Sequence, residues 1–162
     1  MAGPPYPFTS FNFAVEINRG EDGNPLVNAA FAECDGLEMN LEVKTIREGG
    51  ANDRQIRLNG MVAYGQLTLK RGMTGNFDLW HWFRDSVDDP RLRANAEVVL
   101  LAADGVTERA RFILSRCVPV KLKAPALNAK DGQIAVEELQ VAYETLKFKE
   151  PEDAGEPEEP EA

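Results

Sequence analysis

Apolar and polar residues alternate with a period of two along several segments of this chain, and this pattern restricts the fold more than any other feature. Phe11, Phe13, Val15 and Ile17 are separated from one another by single small or polar residues. Strand-like runs also occupy residues 37–44, 66–70, 96–102 and 109–118. Successive side chains of a strand point to opposite faces, so a period of two predicts strands with one buried face. The sequence therefore predicts a mostly β fold.

The last apolar segment, residues 134–148, changes its phase twice. Ile134 and Val136 set one phase, Leu139, Val141 and Tyr143 set the opposite phase, and Leu146 and Phe148 shift again. Phase changes within one long run usually mark bulges, which bend a strand around a barrel or between two packed sheets. The phase changes therefore indicate curved strands, which belong either to a barrel or to two packed sheets.

We predict one α-helix over about residues 76–88. Asn76 ends a Thr-Gly-Asn segment that can cap a helix, and Asp78 lies in the first turn, where the helix dipole favours an acid. The apolar stripe of this helix consists of Leu79, Phe83 and Val87, with Trp80 and Trp82 beside it. Pro90 follows and disfavours helical conformation in the residue before it.

Two connections have distinct sequences. Asp104-Gly105 lies between two strand-like runs, and Asp-Gly is a strong signal for a hairpin. Residues 47–64 are rich in arginine and glycine, and we interpret them as a loop longer than common hairpin connections.

Acidic residues are concentrated at the C-terminal end. Residues 150–162 contain seven acids and no basic residue, so they account for most of the formal charge of −9 and leave −2 for the rest. A nearly neutral domain lacks the basic surface that nucleic acids and anionic lipids require. From the proline and acid content we predict an N-terminal arm over residues 1–10, one domain over 11–149 and a disordered tail over 150–162.

Other features bear on location and metal content. The N-terminal segment has no basic region followed by an apolar run, and no apolar run approaches the ~20 residues of a membrane span. We therefore expect cytoplasmic synthesis without insertion of the monomer into a membrane. Cys34 and Cys117 are the two cysteines and His81 is the single histidine, whereas a tetrahedral zinc site takes about four N or S ligands. We expect reduced thiols and neither a metal nor another cofactor.

The candidates for catalysis are weak. His81 is predicted on the polar side of the helix near Asp85, where a solvated pair is the simpler interpretation. Glu137 and Glu138 are adjacent in a strand and point to opposite faces, unlike the facing carboxylates of a glycosidase. Gly49-Gly50 lacks the Gly-Lys-Ser/Thr ending of a phosphate-binding loop. We predict no catalytic residue, so the chain is not expected to be an enzyme.

Several segments, taken in order, resemble one family of proteins. They are Phe-Ala-Glu-Cys-Asp-Gly-Leu-Glu from Phe31, Leu-Glu-Val-Lys-Thr-Ile-Arg-Glu-Gly-Gly ending at Gly50, Arg-Leu-Asn-Gly ending at Gly60, Tyr-Gly-Gln-Leu-Thr-Leu-Lys-Arg-Gly from Tyr64, Leu-Trp-His-Trp from Leu79, and residues 124–128 and 134–139. Their order and spacing resemble the tail-tube protein family of contractile phages and extracellular contractile injection systems, over residues 11–148. Asn59 stands where the family commonly has proline, and the acidic tail is outside the family's common core.

The resemblance implies a structural role. It implies a domain of two packed sheets, β-barrel-like, with one helix. This domain is expected to assemble as hexameric rings, which stack into an inner tube around a cargo or DNA channel and are driven into a target by a contracting sheath. The implied partners are further copies of this chain, sheath subunits, and the baseplate, spike hub and tube terminator proteins. The implied location is the cytoplasm during assembly and then an extracellular or phage-like particle.

Two sets of residues are predicted to act in such an assembly. The polar faces of two strands are expected to line the channel through Glu38, Asn40, Glu42, Lys44, Gln66, Thr68 and Lys70. Alternation alone does not distinguish a channel from bulk water, so that alternative stays open. In the family, the segment between these strands packs against a neighbour or the next ring, which predicts inter-subunit contacts for Arg47, Glu48, Arg54 and Arg57.

Three other functions remain open at this point. A baseplate-proximal tube initiator or adaptor would share the fold, and the acidic tail and Asn59 favour it. A baseplate-associated glycosidase would need convergent carboxylates. A stand-alone β-barrel that binds ligands would need an aromatic cluster.

Overall fold

A computed structural model describes residues 7–19, 25–28, 30–47, 49, 55–130 and 132–151. This part of the chain contains ten strands and one helix: β1 (Phe13–Arg19), β2 (Pro25–Asn28), β3 (Glu33–Asp35), β4 (Met39–Arg47), β5 (Gln55–Tyr64), β6 (Gln66–Gly72), α1 (Asp78–Asp88), β7 (Ala94–Leu101), β8 (Glu108–Lys123), β9 (Val136–Ala142) and β10 (Thr145–Lys149). The predicted domain limits are not tested, and residues 1–6 and 152–162 lie outside the described residues.

Eight of the strands form two packed sheets that share β8. The first sheet has the order β2-β1-β7-β8, with β10 on the other side of β8. The second sheet has the order β8-β9-β6-β3, and the pairings in both sheets are antiparallel. The prediction of a mostly β fold with two packed sheets and one helix is confirmed. Among the described strands the path from β2 to β3 does not close, so the domain is barrel-like without being a closed barrel.

β8 passes from the first sheet into the second near Arg116. Ser115 pairs with Thr145 of β10, whereas Val118 pairs with Ala142 of β9. Arg116 has a φ of 53°, in the left-handed region that residues other than glycine seldom adopt. The predicted phase change after Tyr143 corresponds to this bend, because β9 ends and β10 begins directly opposite it.

The earlier phase change, predicted between Val136 and Leu139, is wrong. β9 pairs with β6 in one continuous register from Val136 to Ala142. Ile134 lies before the strand and is 82% exposed, Val136 is also exposed, and Glu137 is buried. The apolar residues point outward here because a buried ion pair, described below, holds the inward position.

The core lies between the two sheets and beneath the helix. It is formed by apolar residues of both sheets and of α1, including Val15, Ile17, Leu67, Leu69, Leu79, Trp82, Ala96, Leu114, Cys117, Leu139 and Val141. These side chains are at most 5% exposed, and burial of apolar surface of this kind is the main stabilising contribution to a fold.

α1 begins at Asp78, two residues later than predicted. The Asn76 side-chain oxygen accepts a hydrogen bond from the Asp78 backbone N–H at 3.0 Å, so the predicted capping segment does contact the helix start. The predicted stripe is wrong at Val87, which is 66% exposed, and Trp82 is fully buried. Leu79 and Trp82 are three residues apart and share one helix face, whereas the last turn extends beyond the core.

The hairpin predicted at Asp104-Gly105 is confirmed between β7 and β8. Gly105 has a φ of 73°, which glycine adopts without strain. The Asp104 carboxylate accepts hydrogen bonds from the Thr107 hydroxyl and from the backbone N–H groups of Thr107 and Val106. These bonds, the Thr107 hydroxyl first, lower the pKa of Asp104 to about 2.

Residues 55–64, predicted as part of a loop, form β5 instead. β5 pairs with β4 as a two-stranded ribbon apart from both sheets. This ribbon is called the arm below and is distinct from the N-terminal arm predicted over residues 1–10. Ile56, Leu58, Val62 and Tyr64 do alternate with more polar residues, but Gly60 interrupts the apolar positions and conceals the period.

Candidate assembly surfaces

A bulge opposite Glu42 places one extra residue in β5, between Val62 and Asn59. Leu41 lies opposite Val62 before the bulge, and Lys44 lies opposite Leu58 after it. Side chains opposite each other in an antiparallel pair share a face. β4 keeps its alternation, so one face carries Met39, Leu41, Val43, Thr45, Arg57, Asn59, Val62 and Tyr64, and the other carries Asn40, Glu42, Lys44, Ile46, Ile56, Leu58, Met61 and Ala63. The alternation predicted for residues 37–44 continues along β4, because the extra residue lies in β5.

Gly60 makes room for this bulge. A side chain at Gly60 would place a Cβ atom 2.7 Å from the Glu42 carbonyl oxygen, closer than real Cβ contacts come. The glycine that concealed β5 in the sequence therefore allows the close approach of the two strands.

Apolar side chains occupy the half of the first face nearest the base of the arm, and this half, called the apolar face of the arm, is open to solvent. Met39 is 58% exposed, Leu41 48% and Val43 51%, and Val62 is exposed as well. An isolated two-stranded ribbon is at best marginally stable in water, and contiguous exposed apolar patches mark contact surfaces. The arm therefore presents a surface suited to contact with another protein.

Tyr143 fixes the base of the arm. Its hydroxyl donates to the Gly36 carbonyl oxygen at 2.8 Å and accepts from the Glu38 backbone N–H at 3.3 Å. Its ring packs against Tyr64 with 5.9 Å between ring centroids. Burial raises the pKa of Tyr143, so the hydroxyl keeps the proton that it donates. The arm is thereby tied to the end of β9.

Side chains on the outer face of the second sheet form rows across its four strands. The strand registers place Glu33, Lys70, Glu138 and Lys123 in one row, and Asp35, Thr68, Gln140 and Lys121 in the next. A third row contains Gln66, Ala142 and Val118. Lys70 Nζ lies 3.4 Å from the Glu33 carboxylate, so neighbouring charges in the first row pair. This outer surface is called the polar face.

The two outer strands of the second sheet carry opposite charges on the polar face. β3 presents Glu33 and Asp35, and the end of β8 presents Lys121 and Lys123, all of them exposed. Among the described strands, β3 pairs with β6 alone, and β8 beyond Cys117 pairs with β9 alone. We call β3 the acidic edge and residues 118–123 of β8 the basic edge.

A buried ion pair joins the second sheet to the helix. Arg71 Nε donates to the Glu137 carboxylate at 2.5 Å, and Trp80 Nε1 donates to the other carboxylate oxygen at 2.9 Å. Arg71 also donates to the Asn76 carbonyl oxygen at 2.9 Å and lies over the Phe31 ring. Both charged side chains are almost fully buried, and their mutual hydrogen bonds offset the cost of removing them from water. This network fixes the start of α1 against β6 and β9.

The seven residues predicted for the channel wall lie on two different elements. Gln66, Thr68 and Lys70 lie together on the polar face. Asn40, Glu42 and Lys44 belong to the arm, and Glu38 precedes it at its base. Asn40, Glu42 and Lys44 therefore lie on a ribbon separate from the second sheet, whereas Glu38 adjoins Gly65, the neighbour of Gln66. Facing a channel stays a prediction for all seven.

The four predicted contact residues are described only in part. Arg57 is exposed on β5, on the same side of the arm as the apolar face and farther from its base. The main chain of Arg47 ends β4, while its side chain, Glu48 and Arg54 lie outside the described residues.

The charged residues of the two edges were missed by the sequence interpretation. Lys121 and Lys123 are separated by Leu122, which packs against the core, so a period of two was present. Their opposition to Glu138 and Gln140 depends on the strand register, and the sequence does not contain that information directly.

The titratable groups offer little chemistry. Burial, with a contribution from Asp35, raises the pKa of the Cys34 thiol to about 11, and the protonated thiol is a poor nucleophile. His81 is exposed on α1. In the described residues, no group of three or more His, Cys, Asp or Glu side chains could hold a metal ion. No helix within the same residues is long and apolar enough to cross a membrane.

Comparisons with known proteins identify the family. A search of curated proteins finds no match. A chain of the anti-feeding prophage baseplate, determined with six-fold symmetry, is 27% identical and superimposes with a TM-score of 0.76, covering 93% of this chain and 98% of that one.

Two further structures share the fold. A chain of the anti-feeding prophage tube-terminating cap is 18% identical with a TM-score of 0.77, covering 93% of this chain and 95% of that one. A chain of the sheath–tube complex of the extracellular contractile injection system PVC is 20% identical with a TM-score of 0.74, covering 90% and 93%. The model of the T4-like virus tail tube protein gp19 family matches residues 9–147, which confirms the resemblance found in the sequence. This chain belongs to the T4-like virus tail tube protein gp19 family.

Proposed function

We propose that this chain is the structural subunit of the inner tube of a contractile injection system or contractile phage tail. Six copies form a ring, rings stack around a channel, and contraction of a sheath drives the tube into its target. The observation that carries this proposal is the exposed apolar face of the arm, in a chain that belongs to a tail tube family. The six-fold symmetry of the related baseplate supports the number of copies.

The second sheet is suited to ring closure. It has four antiparallel strands, so β3 and the end of β8 run in opposite directions. A copy related by rotation about a ring axis therefore presents its β8 antiparallel to the β3 of its neighbour. Joining these edges satisfies backbone groups that would otherwise invite aggregation.

The polar face is the proposed channel wall, with Gln66, Thr68 and Lys70 facing the lumen. Its charged residues are three acids and three lysines, so the wall has no net charge. A polar and neutral surface adheres weakly to a passing cargo. Glu38, Asn40, Glu42 and Lys44 would then face the channel only where the arm itself reaches it.

The arm is the proposed contact between subunits. Its apolar face packs on a second copy, and Arg57, with Arg47, Glu48 and Arg54, contributes polar contacts around that interface. Repetition of one contact around and along the tube supplies stiffness without a chemical step. The subunit accordingly acts as a mechanical part and not as an enzyme, and it needs no cofactor.

The other proposed partners are sheath subunits, the baseplate and spike hub, and a tube terminator. Related chains occur in a sheath–tube complex, a baseplate and a terminating cap, which supports these kinds of partner. Assembly would take place in the cytoplasm before the particle acts outside the cell.

A second candidate is a baseplate-proximal initiator or adaptor of the same tube. One observation favours it: identity is 27% to the baseplate chain and 20% to the sheath–tube chain. Under this alternative, the purified protein would form single rings that do not extend, whereas a main tube subunit would form long tubes.

Replacing Leu41 with aspartate tests the role of the arm. Leu41 is 48% exposed, so the monomer should keep its melting temperature to within a few degrees. The carboxylate would be buried in every inter-subunit contact, and assembly should be lost. Size-exclusion chromatography with light scattering gives the oligomeric state, and differential scanning fluorimetry gives the melting temperature.

Val106→Asp is the matched control, because Val106 is 82% exposed in the β7–β8 hairpin and lies outside the arm. It introduces the same charge and should assemble like the unaltered chain. Normal tubes from Leu41→Asp would refute the proposed role of the arm.

A further inference from the structure

The acidic and basic edges have matching spacings as well as opposite charges. Glu33 and Asp35 are two residues apart on β3, and Lys121 and Lys123 are two residues apart on β8. All four belong to the polar face, in the same two rows of side chains. In an antiparallel pair, residues opposite each other have a constant sum of numbers, so Glu33 facing Lys123 requires Asp35 to face Lys121.

The charges of the first row alternate in sign across the sheet. They run from Glu33 through Lys70 and Glu138 to Lys123, so the row begins with an acid and ends with a base. A second copy placed beside Lys123 begins again with an acid. The alternation therefore continues without interruption from one copy to the next, however many copies are joined.

We infer that Lys123 and Lys121 of one subunit pair with Glu33 and Asp35 of the next, forming an unbroken belt of alternating charge that fixes the register between subunits. This inference rests on the proposed function, because it requires that the second sheets join edge to edge. It adds which residues meet and in which register they meet.

Other registers form fewer ion pairs between the acidic edge and the basic edge. A shift by two residues in one direction brings Asp35 to the bulge between Pro119 and Lys121, and in the other direction it places Glu33 opposite Pro125. Each shift loses one of the two ion pairs and sets a bulge or a proline at the joint. A shift by one residue turns the acids away from the lysines. Exposed ion pairs contribute little stability singly, so their main effect here is on specificity and register.

Charge reversal in two separate variants tests the inference. The first variant, Glu33→Lys with Asp35→Lys, has two basic edges, and the second, Lys121→Glu with Lys123→Glu, has two acidic edges. Each variant alone should assemble poorly, with about a tenfold or greater rise in the concentration needed for ring formation. An equimolar mixture should assemble as alternating subunits, as should a chain that carries all four changes. Light scattering and electron microscopy at low and high salt measure the outcome.

The mixture separates this inference from a loss of folding. Glu33 also pairs with Lys70 within the chain, but adding the second variant cannot repair that contact. Arg84→Glu with Arg91→Glu, on exposed positions in and just after α1, is the matched control and should assemble normally. If either edge variant alone assembles as the unaltered chain does, or if the mixture fails to assemble, the inference is wrong. If the unaltered chain forms no rings, the proposed function itself fails.

Discussion

Replacing Arg71 with methionine should lower the free energy of unfolding by about 3–5 kcal/mol, because the carboxylate of Glu137 would remain buried without its cation. Domains of this size have stabilities of about 5–15 kcal/mol, so the variant should be partly unfolded near its physiological temperature. Urea unfolding followed by tryptophan fluorescence measures the loss as a lower midpoint with an unchanged slope. One fixed protein concentration is needed because assembly adds to apparent stability.

Two further variants identify the cause of that loss. Arg71→Met combined with Glu137→Leu should recover most of the stability, because no unpaired charge is then buried. Glu144→Gln removes one partner of the exposed Arg116–Glu144 pair and should cost less than about 1 kcal/mol. Equal losses of unfolding free energy from Arg71→Met and from Glu144→Gln would contradict the larger effect predicted for the buried pair.

Replacing Gly36 with alanine should cost about 3 kcal/mol, combining backbone strain with a direct overlap. Gly36 has a φ of 94°, and a Cβ atom there would lie 1.8 Å from the Gln66 carbonyl oxygen. That oxygen belongs to the main chain of β6 and cannot move as a flexible side chain would. The connection between β3 and the arm would therefore have to shift.

Gly75→Ala is the control for this prediction. Nothing lies within 4 Å of a Cβ atom at Gly75, so its effect on stability should be within about 1 kcal/mol. The same urea titration compares the two variants, and hydrogen exchange at the arm locates the change. Full stability of Gly36→Ala would show that the base of the arm is not tightly packed.

The sequence predicted those parts of the fold that depend on local patterns. The strand at residues 11–17, the hairpin at Asp104 and the helix near Asp78 each have a local signal, and all three occur in the structure. β5 was missed because Gly60 breaks an otherwise regular alternation. Gly60 allows the close approach of β5 to Glu42 at the bulge.

The candidate surfaces depended on information that a local pattern lacks. Arg71 and Glu137 occupy the inward phases of their own strands, so a buried pair could have been suggested from Leu69 and Leu139 on either side. Predicting the rows of the polar face requires the register of four strands that are distant in sequence. Predicting the exposure of the arm requires knowing that neither sheet covers it.

Electron microscopy of the unaltered, purified protein tests the central claim most directly. We expect six-fold rings, or long tubes, with the polar face toward the channel and the arm in contact with a neighbouring copy. Monodisperse monomers at micromolar concentration and moderate ionic strength, with the arm intact, would contradict it.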